Sequence, residues 1–378
     1  MRHYTISVIP GDGIGPEVIA EAKKVLEATG RVFDFRCEWI EFPFGAEHYL
    51  ATGKVVDDEA LRRIAETDAI LLGALGDPRV SERVTLGGIV LKLRTYFDQY
   101  VNLRPVKLLR GADTPLRDKT AADINFYVVR ENTEDLYSGV GGRVREGEAT
   151  IHGAMHRRLY SAYFDVSVRV EPQEELAYQI GVLSRRGCER VIRYAFELAR
   201  RKGLKRVTGV DKVNAMPDIY EFWRECFERV ARDYPDIEYE YNLVDAVTMW
   251  FIRRPEHYQV VVAPNLFGDI ITDLGAAIQG GMGLAPGANI NPEGLSMFEP
   301  IHGSAPRYKG QQKANPMAAV LAGAMMMEHL GEVDAAQAIE QAVEQVLQYG
   351  PRTYDLGGNA LTYQVGDAIA EQVRANTK

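Results

Sequence analysis

The stretch Tyr4-Thr-Ile-Ser-Val-Ile-Pro-Gly-Asp-Gly-Ile-Gly-Pro16 places an apolar run directly before a glycine-rich turn and an early proline. The run predicts a buried strand. Pro16 predicts the first turn of a helix, because the backbone N–H groups of that turn have no helical partner. Apolar residues between Val18 and Leu26 then repeat at helical spacing. The stretch therefore predicts a strand, a tight turn and a helix in direct succession.

Strand and helix patterns alternate along the rest of the chain. Buried strands are predicted at Ala69-Ile-Leu-Leu72, Ile124-Asn-Phe-Tyr-Val-Val129 and Val260-Val-Val-Ala263, each of them a mostly apolar run. Residues 187–202 carry apolar side chains on one helical face and end in basic residues before Gly203. This alternation predicts an α/β fold with a largely parallel sheet covered by helices.

The turn Gly11-Asp-Gly-Ile-Gly15 does not fit a dinucleotide-binding Rossmann motif. Its spacing is GxGxG, whereas the motif requires GxGxxG and an acidic residue after the second strand. We expect the glycines to permit only a tight bend between strand and helix. The predicted α/β fold is therefore non-Rossmann.

Length and composition restrict the class of protein. A chain of 378 residues exceeds one ordinary core and predicts two domains. The net charge of −9 disfavours a general binder of nucleic acid or anionic membranes. No apolar run reaches the length of about 18 residues that a membrane span needs. Three widely spaced cysteines without a CxxC motif, Cys37, Cys188 and Cys226, indicate reduced thiols and a cytoplasmic protein.

Two carboxylates follow the last of the predicted strands at helical spacing. Asp269 and Asp273 lie four residues apart in Asn265-Leu-Phe-Gly-Asp-Ile-Ile-Thr-Asp-Leu274. Residues i and i+4 share a helix face, so both can point at one ion, and hard oxygen ligands suit Mg²⁺ or Mn²⁺. Ile270, Ile271 and Leu274 occupy the rest of the turn and can face a core. The alternative is a solvated acidic face.

Three arginines are placed to bind carboxylates. Arg94 and Arg104 lie ten residues apart, and Arg130 follows the strand that begins at Ile124. In an acidic protein, arginine at the end of a strand suits bidentate capture of a carboxylate. The alternative for each arginine is a surface ion pair.

Three further residues carry groups for proton transfer or metal binding. Tyr137 lies seven residues beyond Arg130, and a nearby cation would lower its pKa and make it a better proton donor. Lys212 comes just past a predicted strand, where a lysine near a metal can act as a base. Asp245 is a third candidate metal ligand.

Five motifs follow one another along the chain: Gly11-Asp-Gly-Ile-Gly-Pro-Glu17, Asn102-Leu-Arg-Pro105, Val129-Arg-Glu-Asn-Thr-Glu134, Asn265-Leu-Phe-Gly-Asp269 and Phe298-Glu-Pro-Ile-His-Gly-Ser-Ala-Pro306. In these motifs and their order the chain resembles, over nearly its whole length, the β-decarboxylating dehydrogenases, which form the isocitrate/isopropylmalate dehydrogenase family. The resemblance implies two α/β domains. Residues 1–103 and 274–378 would form the cofactor-binding domain. Residues 104–273 would form the dimerisation and metal/substrate domain, with an arm near 140–180.

The resemblance also implies roles for the candidate residues. The implied carboxylate clamps are Arg94, Arg104 and Arg130, and the implied ligands of Mg²⁺ or Mn²⁺ are Asp245, Asp269 and Asp273. Tyr137 would protonate the carbon that loses CO2, and Lys212 would act as the base near the substrate hydroxyl. Lys212 and Asp245 would come from the second subunit of a homodimer with shared active sites.

The implied nicotinamide cofactor is held by loops. The implied contacts are His302, Gly303, Ser304, Ala305, Arg307, Tyr308, Asn315 and Tyr354. NAD-dependent relatives carry Asp at the position of Arg307, where it would repel a 2′-phosphate. The Arg307–Tyr308 pair instead resembles the Lys-Tyr pair of NADP-dependent isocitrate dehydrogenases. Either NAD or NADP is expected, with NADP favoured. Gly358 stands where the NADP-dependent enzymes have a further phosphate-binding Arg, which weakens this preference. The alternative is that the basic loop is exposed and binds no ligand.

Substrate choice in the family is set largely before the first clamp, here in Thr85-Leu-Gly-Gly-Ile-Val-Leu-Lys-Leu-Arg94. The Ser and Asn of isocitrate enzymes are absent. Val90 and Leu91 instead predict an apolar wall for an isopropyl group, or otherwise helix packing. The implied reaction converts 3-isopropylmalate to 4-methyl-2-oxopentanoate, a step of leucine biosynthesis. Gly87 stands where isopropylmalate enzymes carry Glu, and the stretch Phe97–Pro105 resembles that of tartrate and D-malate dehydrogenases. Tartrate, D-malate and (homo)isocitrate dehydrogenases therefore remain the alternatives.

Two further alternatives concern the arm and the activity. Residues 150–179 form a longer stretch than the resemblance predicts, and we expect an elaborated subunit contact there. A metal site at His152 and His156 is the alternative for this stretch. The whole chain could also be a regulatory subunit or pseudo-enzyme. Such chains usually lose clamp or metal residues, and here all of them remain.

Overall fold

A computed structural model gives the fold of residues 1–145, 147–171 and 174–376. The chain forms two compact units. The first contains Met1–Tyr127, Trp250–His257 and Thr272–Lys378, and the second contains Val128–Met249 and Tyr258–Ile271. The predicted α/β class is confirmed by the succession of strands and helices. The boundaries after residues 103 and 273, which the sequence predicts between the cofactor-binding and the metal/substrate domains, remain predictions.

The strands of the described residues are numbered in chain order. They are β1 (Arg2–Gly11), β2 (Phe35–Glu41), β3 (Ala69–Ala74), β4 (Val101–Lys107), β5 (Asn125–Glu131), β6 (Gly141–Val144), β7 (Glu148–His156), β8 (Ser161–Arg169), β9 (Leu176–Gln179), β10 (Arg206–Asp211), β11 (Glu238–Leu243), β12 (Val260–Ala263), β13 (Pro286–Ile290) and β14 (Met297–Pro300).

The α-helices are numbered in the same way. They are α1 (Gly15–Phe33), α2 (Ala46–Thr52), α3 (Asp58–Ile64), α4 (Lys92–Tyr96), α5 (Arg185–Arg201), α6 (Pro217–Ala231), α7 (Val244–Arg253), α8 (Asn265–Ile278), α9 (Met317–His329), α10 (Val333–Tyr349) and α11 (Thr362–Ala375). A π-helix, Arg83–Leu91, runs directly into α4. Short 3-10 turns lie at Leu136–Ser138, Pro255–His257, Met282–Leu284, Pro306–Tyr308 and Tyr354–Leu356.

The sheet of the first unit has the strand order β4-β13-β14-β3-β1-β2. Strand β1 is parallel to β2 and β3, and β14 is parallel to β3. Strand β13 is antiparallel to both of its neighbours, β14 and β4. In the second unit the order is β11-β10-β12-β5, and β10 is parallel to β11 and β12. Among these described strand pairs, those that involve β13 are antiparallel and the others are parallel, which agrees with the predicted largely parallel sheet.

Helix α9 lies in the core of the first unit. Its residues Met317–Ala324, Met326 and Met327 are buried, so this helix is covered on nearly all sides. A Cβ on Gly323 would lie 3.0 Å from Leu26 Cδ1 of α1, which shows how closely the two helices pack. Small residues permit this approach, and the methionines serve as core side chains.

The glycine turn after β1 is a tight bend, as predicted. Gly11 and Gly13 have φ angles of +77° and +57°, which favour glycine. A Cβ on Gly11 would lie 2.1 Å from the carbonyl oxygen of Ala74, and one on Gly13 would lie 1.9 Å from that of Ser304. The turn therefore serves close approach of two backbone segments.

Strands β7 and β8 of the second unit form an antiparallel hairpin within the predicted arm. The predicted alternative of a metal site at His152 and His156 is wrong. Four residues along a strand span about 13 Å, which is too far for two ligands of one ion. His152 Nδ1 instead lies 2.5 Å from Asp165 Oδ1 on β8, and His156 Nδ1 lies 3.0 Å from Ser161 Oγ. Within the described ranges, no helix has the length and apolarity that a membrane crossing requires.

Candidate functional site

Helix α8 presents the two predicted metal ligands. It begins at Asn265, directly after the buried strand β12, and carries Asp269 and Asp273 one turn apart. The side chains of Asp269 and Asp273 are 38% and 61% exposed, so both can reach a ligand from solvent. Ile271 is buried, as predicted, but the prediction for Ile270 is wrong because its side chain is 52% exposed.

Arg130 on β5 is enclosed by the first turns of α8. Its Nε donates to the backbone oxygen and to Oδ1 of Asn265, at 2.9 and 3.0 Å, and its Nη2 donates to Oδ1 at 2.7 Å. Its Nη1 forms an ion pair with Asp269 Oδ1. The whole residue is only 2% exposed. A buried guanidinium fixed on two sides is a rigid binding group for an anion.

Gly268 makes this approach of helix and strand possible. A Cβ at this position would lie 2.5 Å from Cγ and 2.6 Å from Cβ of Arg130. The glycine of the Asn-Leu-Phe-Gly-Asp motif is therefore required by packing against the arginine. Sequence reasoning did not assign this role to Gly268, nor did it assign the positioning of Arg130 to Asn265.

Tyr137 reaches the same carboxylate as Arg130. Its phenol oxygen donates a hydrogen bond of 2.9 Å to Asp269 Oδ2. The guanidinium of Arg130 lies 5.3 Å from the centre of the Tyr137 ring, within cation–π range. The predicted cation is thus close to the tyrosine, and the group that accepts from the phenol is a carboxylate.

Lys212 and Asp245 form an ion pair in the second unit. Lys212 Nζ lies 2.7 Å from Asp245 Oδ1, and this hydrogen bond holds the pKa of the Asp245 carboxyl below its usual range. Lys212 follows Asp211, the buried last residue of β10, which accepts from Arg224 Nε at 2.6 Å and from Nη2 at 3.1 Å. The lysine therefore extends from a fixed strand end, as the sequence predicted.

In the first unit, Arg94 on α4 is held by an acidic partner that sequence reasoning missed. Its Nη2 donates to Glu299 Oε1 at 3.1 Å, and Asn289 Nδ2 donates to the same oxygen at 2.7 Å. The Nε of Arg94 is buried and has no hydrogen-bond partner among the described residues. A buried N–H group of a charged guanidinium that has no acceptor is suited to donate to a carboxylate of a ligand.

Arg104, in β4, is 7% exposed and contacts the second turn of α8. Its Nη1 donates to Thr272 Oγ1 at 2.6 Å and lies 3.7 Å from Asp273 Oδ1. Thr272 was not predicted; its signal was its position directly before a candidate metal ligand. The second predicted clamp and the second predicted metal ligand are thus neighbours.

The stretch that precedes Arg94 is a π-helix, a rare conformation that is frequent at functional sites. Val90 is 6% exposed and belongs to the hydrophobic core around Leu93, which fits the packing alternative for this residue. Leu91 is more accessible, and Leu86 is 44% exposed. In this stretch, the apolar side chains that a ligand can reach are therefore those of Leu86 and Leu91.

The loop predicted to bind the cofactor is built on the glycine turn. Ser304 Oγ donates to the Gly76 oxygen at 2.5 Å, and its own carbonyl accepts from Ile14 N at 2.8 Å. His302 Nδ1 lies 3.0 Å from the Gly303 oxygen, and its Nε2 is buried with no partner among the described residues. Burial lowers the pKa of His302, which favours the neutral imidazole. An unpartnered ring nitrogen fits a loop that binds a nucleotide.

Glu17 of α1 holds the far end of this loop and is another residue that sequence reasoning missed. Its Oε1 accepts from Gly310 N at 2.5 Å, and its Oε2 accepts from Gln312 N at 2.9 Å. The signal was present, because Glu17 closes the Gly-Asp-Gly-Ile-Gly-Pro-Glu motif. The motif therefore supports the loop from both ends.

The other predicted cofactor residues of the first unit differ in exposure, with Arg307 and Tyr354 exposed and Asn315 buried. Ala305 has a φ of +40°, and the Arg307 guanidinium lies 4.7 Å from the Tyr308 ring centre. Tyr354 is 74% exposed. Asn315 is buried, and its Nδ2 donates to Asp355 Oδ2 at 3.1 Å.

The described parts of the chain contain no group of three or more His, Cys, Asp or Glu side chains placed to hold one metal ion. Of the three predicted metal ligands, Asp245 and Asp269 belong to the second unit and Asp273 to the first. Their donor chemistry fits Mg²⁺ or Mn²⁺, since all are carboxylates with exposed side chains.

Comparison with known proteins decides the family. The isocitrate/isopropylmalate dehydrogenase family model matches residues 5–369. The chain belongs to the isocitrate/isopropylmalate dehydrogenase family. It is 46% identical over 374 residues to the 3-isopropylmalate dehydrogenase of Thermobifida fusca (strain YX), with 98% of each chain covered.

Two further members of the family are similarly close. The D-malate dehydrogenase [decarboxylating] of Escherichia coli (strain K12) is 42% identical, with 98% of this chain and 99% of that protein covered. The crystal structure of isocitrate dehydrogenase from Methylococcus capsulatus matches with a TM-score of 0.83 and 37% identity, over 98% of this chain and 99% of that one. The family and its names indicate a decarboxylating dehydrogenase, and such enzymes generally use a divalent metal and a nicotinamide cofactor.

Proposed function

We propose that the protein catalyses the metal-dependent oxidative decarboxylation of 3-isopropylmalate to 4-methyl-2-oxopentanoate and CO2. The observation that carries the proposal is the convergence of Arg130 and Tyr137 on the Asp269 carboxylate. An anion clamp, a proton donor and a hard metal ligand are the three groups that this chemistry needs together.

The arginines supply the affinity for a substrate with two carboxylates. Arg94, Arg104 and Arg130 are 8%, 7% and 2% exposed, so each guanidinium is largely withdrawn from water. Charge-assisted bonds in such surroundings are stronger than those at an open surface. We assign these residues to the malate carboxylates, with the partnerless Nε of Arg94 as one of the donors.

We assign Asp269 and Asp273 of one copy and Asp245 of a second copy to the metal. The bound Mg²⁺ or Mn²⁺ supplies Lewis-acid stabilisation of negative charge on the substrate oxygen. In a homodimer with shared active sites, each ion would take two of these carboxylates from one copy and the third from the other. Lys212, paired with Asp245, would enter the site with it.

Two residues move protons in the proposed reaction. The Lys212 side chain would accept the proton of the C2 hydroxyl, while the hydride on C2 would pass to the nicotinamide cofactor as C2 is oxidised to the ketone. The Tyr137 phenol then donates its proton to the carbon that has lost CO2. Both groups act at atoms fixed by the arginine clamps, and such positioning accounts for much of the rate gain in enzymes.

The preference for an apolar C3 substituent is proposed from Leu91, because Val90 is largely taken up by the core. The 46% identity to a 3-isopropylmalate dehydrogenase supports this choice. D-malate or tartrate is the rival substrate. It is favoured by Gly87, which has open space around its Cα where isopropylmalate enzymes carry Glu, and by the 42% identity to a D-malate dehydrogenase.

The test is a panel of D-malate, tartrate, isocitrate, homoisocitrate and 3-isopropylmalate, each assayed with NAD and with NADP in the presence of Mg²⁺ or Mn²⁺. An apolar pocket discriminates by about 1–3 kcal/mol per methylene, so 3-isopropylmalate should have the highest kcat/KM. A higher kcat/KM for D-malate or tartrate would establish the rival substrate. No metal-dependent turnover of any acid would support a regulatory subunit or pseudo-enzyme.

The compartment and the cofactor complete the proposal. We propose a cytoplasmic enzyme, since Cys37, Cys188 and Cys226 are free thiols. We also propose that NADP is used at least as well as NAD, because Arg307 offers an exposed guanidinium to a 2′-phosphate.

A further inference from the structure

Asp135 has an unusual backbone conformation two residues before Tyr137. Its φ and ψ angles are +64° and −143°, a region that glycine adopts readily and that other residues rarely adopt. The residue is fully buried. Strain of this kind persists only where the surroundings fix the backbone.

The surroundings of Asp135 do fix it. Its backbone N donates to the Val182 oxygen at 2.7 Å, and Val182 N donates back at 3.1 Å. Its side-chain Oδ1 accepts from the phenol of Tyr220 at 3.2 Å, and its Oδ2 accepts from Leu266 N at 2.9 Å. The residue is therefore held through both its main chain and its carboxylate.

The bond to Leu266 links Asp135 to the helix that bears Asp269. Leu266 is the second residue of α8, and a carboxylate that accepts from a first-turn N–H acts as a cap. Asp269 follows three residues later, and Tyr137 follows Asp135 by two. One carboxylate thus connects the two segments whose side chains meet in the hydrogen bond of 2.9 Å between Tyr137 and Asp269.

We propose that Asp135 is a positioning residue for Tyr137: it sets the loop and the start of α8 so that the phenol is held against Asp269. This inference rests on the proposed role of Tyr137 as proton donor. A cap alone does not explain the backbone, because Asp57 caps α3 with an ordinary extended conformation, accepting from Ala60 N at 2.9 Å.

Three substitutions of Asp135 separate the effect of its side-chain hydrogen bonds from the effect of its strained backbone. In Asp135→Asn the amide oxygen can accept from Leu266 N while the amide nitrogen donates to the Tyr220 oxygen, so placement should be kept. Asp135→Ala removes both side-chain contacts. Asp135→Gly removes them as well but adopts the backbone without strain, and it replaces the alanine variant if that one does not fold.

The first experiment is a double-mutant cycle with Tyr137→Phe, using the best substrate of the panel and saturating Mg²⁺. We expect Asp135→Ala to lower kcat about 10- to 100-fold, the size of effect that a misplaced group produces. Asp135→Asn should stay near wild type. In the Tyr137→Phe background the alanine substitution should have almost no further effect on kcat. Equal losses in both backgrounds would show a general structural role and overturn the proposal.

The second experiment is independent of turnover. Crystal structures of the wild type and of Asp135→Ala should differ in the distance from the Tyr137 phenol oxygen to Asp269, with an increase of about 1 Å or more in the variant. An unchanged distance would overturn the positioning role. Asp57→Ala serves as the control for loss of a cap and should leave both kcat and this distance unchanged. Absence of wild-type turnover would refute the proposed function alone, since the distance test still stands.

Discussion

The Tyr137 phenol donates a hydrogen bond of 2.9 Å to Oδ2 of Asp269, while Oδ1 of the same carboxylate pairs with Arg130. The proposed proton donor, anion clamp and metal ligand therefore meet at one side chain. A carboxylate has about four lone-pair positions, so these contacts leave room for a further ligand. The Asp269 carboxylate is therefore the contact point of the three groups in the proposed mechanism.

We expect Asp269→Asn to abolish most metal-dependent activity while the fold is kept. The amide is neutral and has one acceptor oxygen, so turnover should fall roughly 10- to 1,000-fold and metal affinity should drop. Arg130 stays held by Asn265 at 2.7–3.0 Å, which preserves the packing. The measurements are turnover against Mg²⁺ concentration and thermal unfolding.

Asp236→Asn is the matched control for this prediction. Asp236 lies in an exposed ion pair with Arg200, and surface pairs of this kind contribute little. The control should leave turnover and metal affinity unchanged. If Asp269→Asn behaves in the same way as the control, Asp269 is not a metal ligand.

The sequence predicted single elements well because their signals are local. The apolar runs of β1, β3 and β12 and the amphipathic pattern of α5 are read within a few residues. Exposure depends on what packs against an element, which periodicity does not encode. For this reason Ile270 was wrongly expected in a core, and the burial of Val90 among core residues could not be predicted.

The supporting residues of the site were missed because their partners lie far away in the chain. Arg94 is held by Glu299, 205 residues further on, and Arg130 is held by Asn265, 135 residues further on. Such pairs leave no trace in local spacing. The clamps themselves were found only because motif resemblance carries long-range information, and their assignment to substrate carboxylates remains a prediction.

Glu17→Gln should loosen the cofactor loop. Glutamine has one acceptor oxygen, whereas Glu17 uses two to accept from Gly310 N and Gln312 N. A lost hydrogen bond contributes about 0.5–1.5 kcal/mol, so we expect the cofactor KM to rise about 3- to 10-fold with kcat nearly unchanged. Initial rates at varied cofactor concentration measure both constants.

Glu27→Gln provides the control on the same helix. Glu27 accepts a hydrogen bond of 3.0 Å from Trp39 Nε1 and has no proposed part in the cofactor loop. Its substitution should leave the cofactor KM at the wild-type value. Should Glu17→Gln leave it there as well, the loop does not bind the cofactor or does not depend on Glu17.

The buried Glu131 predicts a pH dependence of stability. Burial raises the pKa of Glu131 from 4.5 to about 7, and the nearby Glu134 adds to the increase. The folded protein therefore binds this proton more tightly than the unfolded chain does. The stabilisation is fully present below about pH 4.5 and is lost as the pH rises toward 7.

Glu131→Gln should make the free energy of unfolding depend less on pH over this range. The comparison is the free energy of unfolding from denaturant titrations at several pH values between 5 and 8, for the wild type and the variant. Glu59→Gln, on the exposed surface of α3, should keep the wild-type slope. A slope unchanged in Glu131→Gln would mean that Glu131 titrates as it does in the unfolded chain.

The last prediction concerns the choice between NADP and NAD. Arg307 is exposed and its guanidinium stacks at 4.7 Å from the Tyr308 ring, which restricts the side chain without consuming its donors. A charge-assisted contact contributes about 1.5–3 kcal/mol, enough to reverse a cofactor preference. Gly358, in place of a further Arg, argues for a smaller effect.

The measurement is kcat/KM with NAD and with NADP for the wild type and for two variants, Arg307→Asp and the control Arg62→Asp. The control makes the same charge change on the exposed side of α3. Arg307→Asp should shift the preference toward NAD by about tenfold or more, roughly 1.4 kcal/mol, while Arg62→Asp should not. A wild type that favours NAD by more than about tenfold, with no shift in Arg307→Asp, would show that Arg307 does not contact the cofactor.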